Sequence, residues 1–325
     1  MAVTADQIKL YRSELVNDED TNGGRLGTVL VVSGVKNNIF PDVPDSERTA
    51  GSTKYRKVFW KVENPNNEAF QNVHIYMTKP TNGEDWIVFF PGTQIDKQAD
   101  ITGTERLYGC GILSADVSAS ATELHLTVES AEINSIFQTG DTIWIGDGTH
   151  EEFHENVTVS VVDTNVTIQL QSGDQLQYSY AAGSTVVASC YIVPVIQVSY
   201  SDVSVTSTSG SFDATKIALD SVGTVEDTWT ITFTSDTEFT CSGAAEGDVG
   251  TGDVNTDFAP ENPDFSGHYF FTIPATAWSG TWQSGDTVVF KTHPAAVPIW
   301  FKRVVPAGIG TVYNIFAVTI TGESS

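Results

Sequence analysis

The sequence predicts an all-β protein, built as several small β-sandwich or barrel modules in series with very little helix. Short runs rich in Val, Ile, Thr and aromatic residues recur along the chain, and apolar and polar residues alternate within them. Clusters of Gly, Asp, Asn and Ser separate these runs and are typical of tight turns. The chain has 325 residues, of which 40% are hydrophobic, so it can bury a substantial core in more than one domain.

Predicted strands cover most of the chain. The clearest runs are residues 29–32, 58–62, 73–77, 86–90, 124–128, 142–145, 157–162, 166–170, 229–233, 269–273, 287–290 and 315–320. Only residues 5–15 and 131–137 could form helices, and both segments are too short to be stable without tertiary contacts.

Three domains are expected, with boundaries near Cys110 and Cys190: an N-terminal β domain (1–110), an inserted β module (111–190) and a C-terminal β domain (191–325). The middle segment contains four or five strands joined by tight turns. Charge also divides the chain, because residues 1–106 hold 12 basic and 15 acidic side chains, whereas residues 107–325 hold 4 and 26. The surface of the first part is therefore expected to be nearly balanced in charge, and that of the second part strongly acidic.

The composition excludes several classes of function. A net charge of −25 repels nucleic-acid phosphates and anionic membranes, so neither is expected as a partner. The start of the chain lacks the order of a secretory signal and no apolar run spans a membrane, so we expect synthesis in a cytoplasm. Three cysteines without a close pair predict neither disulfides nor a sulfur-rich zinc site. No nucleophile-elbow, phosphate-loop or dinucleotide motif occurs, so we expect no enzyme activity and no cofactor.

One segment matches the zinc-protease motif H-E-x-x-H: His150, Glu151, Glu152, Phe153 and His154. The motif works on a helix, where residues four apart share one face and reach one metal. Here a turn precedes it and a β-branched run follows it, so the sequence favours a hairpin with solvated Glu and His side chains. A zinc hydrolase using His150, Glu151 and His154 is kept as a remote alternative.

A calcium site is a second metal hypothesis. Asp253, Asn255 and Asp257 repeat oxygen ligands at alternate positions, as in an EF-hand loop. Phe258 stands where that loop needs Gly, so an acidic turn between strands is the competing interpretation.

Three tryptophans raise the hypothesis of a receptor- or glycan-binding module. Trp278 and Trp282 lie in a segment rich in Gly and Ser, and Trp300 follows in the same third of the chain. Exposed rings could stack on sugars, whereas buried rings would anchor a core.

Several motifs resemble a family of virion structural proteins of tailed bacteriophages and prophages. They are Asn22-Gly-Gly-Arg-Leu26, Val32-Ser-Gly-Val-Lys-Asn-Asn-Ile-Phe-Pro-Asp42, Glu47-Arg-Thr-Ala-Gly-Ser-Thr-Lys-Tyr-Arg-Lys-Val-Phe59, Phe90-Pro-Gly-Thr-Gln94, Glu105-Arg-Leu-Tyr-Gly-Cys110, Asp227-Thr-Trp-Thr-Ile-Thr-Phe233, Asp257-Phe-Ala-Pro-Glu-Asn-Pro263 and His293-Pro-Ala-Ala-Val-Pro-Ile-Trp300. These are turn and strand signatures and bring no active site.

The resemblance implies a non-enzymatic component of the phage particle, in the neck, tail, baseplate or capsid surface. It would assemble in the host cytoplasm through contacts with other virion proteins and with copies of itself. Lys54, Arg56, Lys57 and Lys61 surround an aromatic strand in the less acidic part, so they are the expected docking residues. A merely solvated basic face is the alternative.

Overall fold

The structure is a computed structural model that describes residues 2–310 and 314–324. The first strands are β1 (Ile8–Leu15), β2 (Gly23–Leu30), β3 (Ser52–Val62), β4 (Phe70–Lys79) and β5 (Trp86–Pro91). The next are β6 (Cys110–Leu113), β7 (Glu123–Thr127), β8 (Ile143–Gly146), β9 (Glu151–His154), β10 (Thr158–Val162), β11 (Asn165–Gln169) and β12 (Val186–Ser189). The last are β13 (Tyr191–Ile196), β14 (Ser199–Thr206), β15 (Gly210–Phe212), β16 (Asp227–Phe233), β17 (Glu238–Gly243), β18 (Gly247–Asp253), β19 (Trp278–Gly280), β20 (Thr287–His293), β21 (Ala296–Val305) and β22 (Ala317–Ser324).

Helix is confined to short pieces in the described residues. They are the helix α1 (Asp45–Ala50) and the 3-10 turns Ala5–Gln7, Gln98–Asp100, Ala131–Ile136, Ala214–Lys216 and Ala275–Ala277. The prediction of an all-β protein is confirmed. No helix in this part of the chain is both long and apolar enough to cross a membrane.

A central sandwich joins the two ends of the chain. Its larger sheet has the order β2-β1-β3-β21-β5, and its smaller sheet has the order β13-β4-β22. All pairs are antiparallel, and β3 pairs with β21 along its whole length. The core between the sheets contains Val58, Ile75, Phe89 and Phe301. Strands more than two hundred residues apart in sequence therefore form one module.

The first insertion (residues 110–190) forms a seven-stranded antiparallel sheet with the order β10-β11-β7-β6-β12-β8-β9. Apolar residues alternate with exposed ones along β7 and β11, as expected of strands with one buried face. Its core is mainly aliphatic and includes Leu126, Ile145 and Ile168.

The second insertion (residues 199–293) contains a five-stranded sheet, β14-β20-β16-β17-β18, and a two-stranded sheet, β15-β19. Its core is aromatic, since the rings of Trp229, Phe233, Phe239, Phe271 and Phe290 are all fully buried. Trp229 Nε1 donates a hydrogen bond to Thr292 Oγ1 at 2.8 Å, so the polar atom of this indole is satisfied.

The strand pairing divides the chain differently from the sequence expectation in its last third. Residues 191–325 were expected to form one C-terminal domain, but β13, β21 and β22 pair with strands of the N-terminal segment. The reason lies in β21, which is buried almost throughout and needs a partner on both sides. The expected module 111–190 coincides closely with the first insertion.

Both expected helical segments also differ. Most of residues 5–15 form β1, which pairs with β2 on one side and β3 on the other, so tertiary pairing overrides a helix-compatible sequence. Residues 131–137 contain only the 3-10 turn already noted.

Candidate assembly surface

Lys54 and Arg56, two expected docking residues, are engaged in internal ion pairs. Lys54 Nζ lies 2.8 Å from Asp18 and 2.6 Å from Glu47. Arg56 Nη2 lies 2.6 Å from the same Asp18, and its side chain is buried. The two neighbouring cations lower the pKa of Asp18 against the effect of its desolvation. These groups tie the segment around Asp18 to β3.

Lys57 and Lys61, the other two, are completely buried on the opposite face of β3. Lys57 Nζ lies 2.6 Å from Asp96 Oδ1 and donates a 2.6 Å hydrogen bond to the carbonyl of Gly24. Lys61 Nζ donates a 2.6 Å hydrogen bond to the carbonyl of Val222 in the second insertion. Burial lowers the pKa of Lys57, and it lowers that of Lys61 to about 8.

The expectation of a basic docking face on β3 is therefore corrected. β3 is the middle strand of its sheet, and the four cations on it bind loops and the second insertion to the central sandwich. The alternative of a solvated basic face is wrong for the same reason.

The three tryptophans expected to stack on glycans are also buried. Trp282 stacks on Phe233 with ring centroids 4.2 Å apart, and Trp278 packs edge-on against the same ring. Trp300 is fully buried and donates a 2.8 Å hydrogen bond to Asp96. Because no face of these rings is free for a sugar, the structure assigns them to core packing.

The H-E-x-x-H segment forms the hairpin of β8 and β9 rather than a helix. His150 is exposed and stacks on Tyr178, whereas His154 is buried with Nδ1 2.7 Å from Asp174. The predicted hairpin is present, but Glu152 is buried rather than solvated and accepts backbone hydrogen bonds from residues 177 and 178. The two histidines therefore lie in different environments, which does not suit one zinc ion.

The expected calcium ligands serve local turns. Asp253 Oδ1 accepts hydrogen bonds from the backbone and side-chain nitrogens of Asn255, both at 2.7 Å. Asp257 Oδ1 instead accepts from the backbone nitrogen of Ala275 at 2.9 Å. Across residues 2–310 and 314–324, no group of three or more His, Cys, Asp or Glu side chains is placed to hold a metal ion.

The surface that sequence reasoning missed is the edge formed by β2 and the residues after it. In the described part of the chain β2 pairs with β1, and its other edge makes one isolated bridge, between Gly23 and Lys97, so the remainder of that edge, residues 25–30, has no strand partner. Val29, Val32 and Val35 are each more than half exposed, and Leu30 is 42% exposed. We call these four residues the β2 edge patch.

An apolar, unpaired edge strand is a template for pairing with another chain, and proteins usually protect such edges with charge or proline. The charge in β2 is Arg25, which lies near the start of the strand and pairs with Glu14 and with Glu246 of the second insertion, so neither charge nor proline protects residues 29–32. The signal in the sequence was the apolar run at residues 29–32, which predicts a strand without indicating that its side chains are exposed.

Charge is distributed by module. The first insertion holds no basic and 11 acidic residues, and the second holds 2 and 14, whereas the rest of the chain holds 14 and 16. The β2 edge patch thus belongs to the one module that is nearly neutral, and a second molecule meets the least electrostatic repulsion there.

Comparison with known proteins adds no relative. The chain matches no protein-family model, and neither a curated protein nor a solved structure is significantly similar to it.

Proposed function

We propose that the chain is a non-enzymatic structural component of a tailed-bacteriophage particle that assembles through protein–protein contacts of its central sandwich. The observation that carries the proposal is the β2 edge patch, which combines an unpaired strand edge with four exposed aliphatic side chains. Its partners are copies of this chain and neighbouring virion proteins, and the assembled particle is its location.

The arrangement of charge supports the same function. The neutral sandwich offers a contact with little repulsion, while the two acidic insertions face outward and discourage unspecific aggregation. The motifs that resemble virion proteins run from residues 22–26 near β2 to residues 293–300 at β21, so they include the module that carries the patch.

The test is incorporation of variants into particles. Val29→Lys combined with Val32→Lys places two charges on the patch, and we expect incorporation to fall about tenfold or more, because a buried unpaired charge opposes binding. The quantity measured is the amount of this chain in purified particles when the variant is the sole source.

A matched control exists on the second insertion. Val203 and Val205 are exposed on the edge strand β14, so Val203→Lys with Val205→Lys adds the same charge to a similar edge. This control should be incorporated like the natural chain. Normal incorporation of the β2 variant, with or without loss of the control, would contradict the proposal.

A further inference from the structure

One end of the central sandwich contains a partly open cavity of about 910 Å³. It lies between the larger sheet, the strand β22 and the loop at residues 31–43. Its volume is within the range of small-molecule sites, roughly 300–1,000 Å³. The apolar part of its wall consists of Ile8, Leu10, Trp60, Ile87, Phe316 and Val318.

Arg303 on β21 supplies a buried charge in this wall, since its side chain is only 5% exposed. Its Nη1 donates a 2.9 Å hydrogen bond to the carbonyl of Pro41, and the Phe40 ring lies 4.7 Å from the guanidinium carbon. Nε and Nη2 find no acceptor among the residues that the structure describes. Glu47 is 3.9 Å from Nη2, which is too far for a hydrogen bond.

The two unpartnered nitrogens define the chemistry of the missing acceptor. Nε–H and one Nη2–H point outward in parallel from the same edge of the planar guanidinium and form the fork that binds both oxygens of a carboxylate. Nε of Arg48 and Nε1 of Trp60 also lack partners in the described chain, and both residues line the cavity. All four vacant groups are donors, which calls for an acceptor ligand.

The carboxyl groups in the wall limit the ligand to one negative charge. Asp85 is buried beside Asn314, which donates to it, and Glu84 accepts from the backbone nitrogen of Gly310. A second carboxylate on a ligand would meet these acids across the cavity and be repelled. An apolar tail, in contrast, fits the remainder of the wall.

We infer that this cavity binds an amphipathic monocarboxylate, with its carboxylate on the Nε/Nη2 fork of Arg303 and its alkyl tail along the apolar wall. The inference goes beyond the proposed assembly function, because it concerns binding of a small molecule rather than a protein, at a cavity that Val32 and Val35 of the β2 edge patch also line. Its test therefore does not depend on particle assembly.

Calorimetric titration of the full chain with decanoate and with decan-1-ol is the first experiment. The two probes share one tail, and only decanoate can occupy the fork. We expect one saturable decanoate site per chain and binding of the alcohol that is at least about tenfold weaker, as for loss of a charged hydrogen-bonded pair. Absence of decanoate binding, or equal binding of both probes, would overturn the inference.

Two variants locate the site. Arg303→Met should weaken decanoate binding about tenfold or more. Lys302→Met is the matched control, because Lys302 is the next residue of β21, points to the other face and lies over Trp86. It should bind decanoate like the natural chain. If Arg303→Met unfolds, the comparison of the two probes on the natural chain still decides the question.

Discussion

The central sandwich and the second insertion both contain a five-stranded antiparallel sheet, yet different side chains hold them together. The sandwich buries Arg56, Lys57, Lys61 and Arg303 in addition to its apolar core. The insertion closes over an aromatic core, and neither of its two basic residues is buried. Two sheets of equal size are thus held in place by different kinds of buried side chain.

The difference follows from how each module is closed. The second insertion is one continuous segment of the chain, residues 199–293, so its sheets need no strand from outside that segment. The sandwich is built from both ends of the chain, and loops and an insertion pack against it. Its buried cations donate hydrogen bonds to backbone carbonyls of these neighbouring segments. The basic residues are consequently used inside the protein, and the apolar side chains of the β2 edge patch remain exposed.

The largest expected effect is loss of the aromatic core. Trp229→Ala should lower the free energy of unfolding of the second insertion by about 3–5 kcal/mol, because it leaves a large cavity in a fully buried site. Cys241 lies in this core, and burial raises its pKa to about 12, so it should resist thiol reagents in the natural chain. In the variant it should react much faster, as measured by labelling and mass spectrometry.

The reactivity of Cys110 and Cys190 measures whether the rest of the molecule stays folded, since both thiols are buried in the core shared by the sandwich and the first insertion. They should stay protected in Trp229→Ala. Ile145→Ala in the first insertion is the reciprocal control, and it should leave Cys241 protected. Simultaneous exposure of all three thiols in both variants would show that the modules unfold as one unit.

Lys61 predicts a smaller effect that depends on pH. Burial lowers the pKa of its ammonium group to about 8, against about 10.4 in an unfolded chain. Below about pH 8 the folded protein bears the full cost of the buried charge. Between about pH 8 and pH 10.4 the folded state loses this proton first, so the contribution of Lys61 to the free energy of unfolding rises with pH.

The measurement compares denaturant unfolding of the natural chain and Lys61→Met over this range. The natural chain should gain about 2 kcal/mol relative to the variant from about pH 8 to about pH 10. Lys302→Met, which removes a half-buried lysine from the same sheet, is the matched control for loss of a lysine side chain. A constant difference between the natural chain and Lys61→Met would refute the buried-cation account of this junction.

The smallest expected effect concerns the edge variants. Val29→Lys with Val32→Lys, and Val203→Lys with Val205→Lys, change exposed side chains, so each should alter the free energy of unfolding by no more than about 0.5 kcal/mol per site. Thermal unfolding of the purified chains measures this. A larger loss for the β2 pair would mean that Val29 or Val32 stabilises the fold, and incorporation would then have to be tested with other residues of the patch.

Local patterns in the sequence were enough to predict the fold class, and the expected bounds of the middle module lie close to those of the first insertion, whose sheet has seven strands rather than the four or five expected. Alternation along β7 and β11, with turns between them, depends on neighbouring residues only. The return of β21 to β3 could not be predicted, because strand pairing across such a distance leaves no local pattern. The candidate site was harder still: a lysine such as Lys57 has the same local signature whether it is buried beside Asp96 or exposed.

We propose that the sandwich docks through the β2 edge while the acidic insertions remain outside the contact. Hydrogen–deuterium exchange of the free chain and of the chain in assembled particles tests it most directly. We expect added protection of amides at residues 23–35 on assembly and little change at β10 or β14. Protection confined to the insertions, with residues 23–35 exchanging as in the free chain, would contradict it.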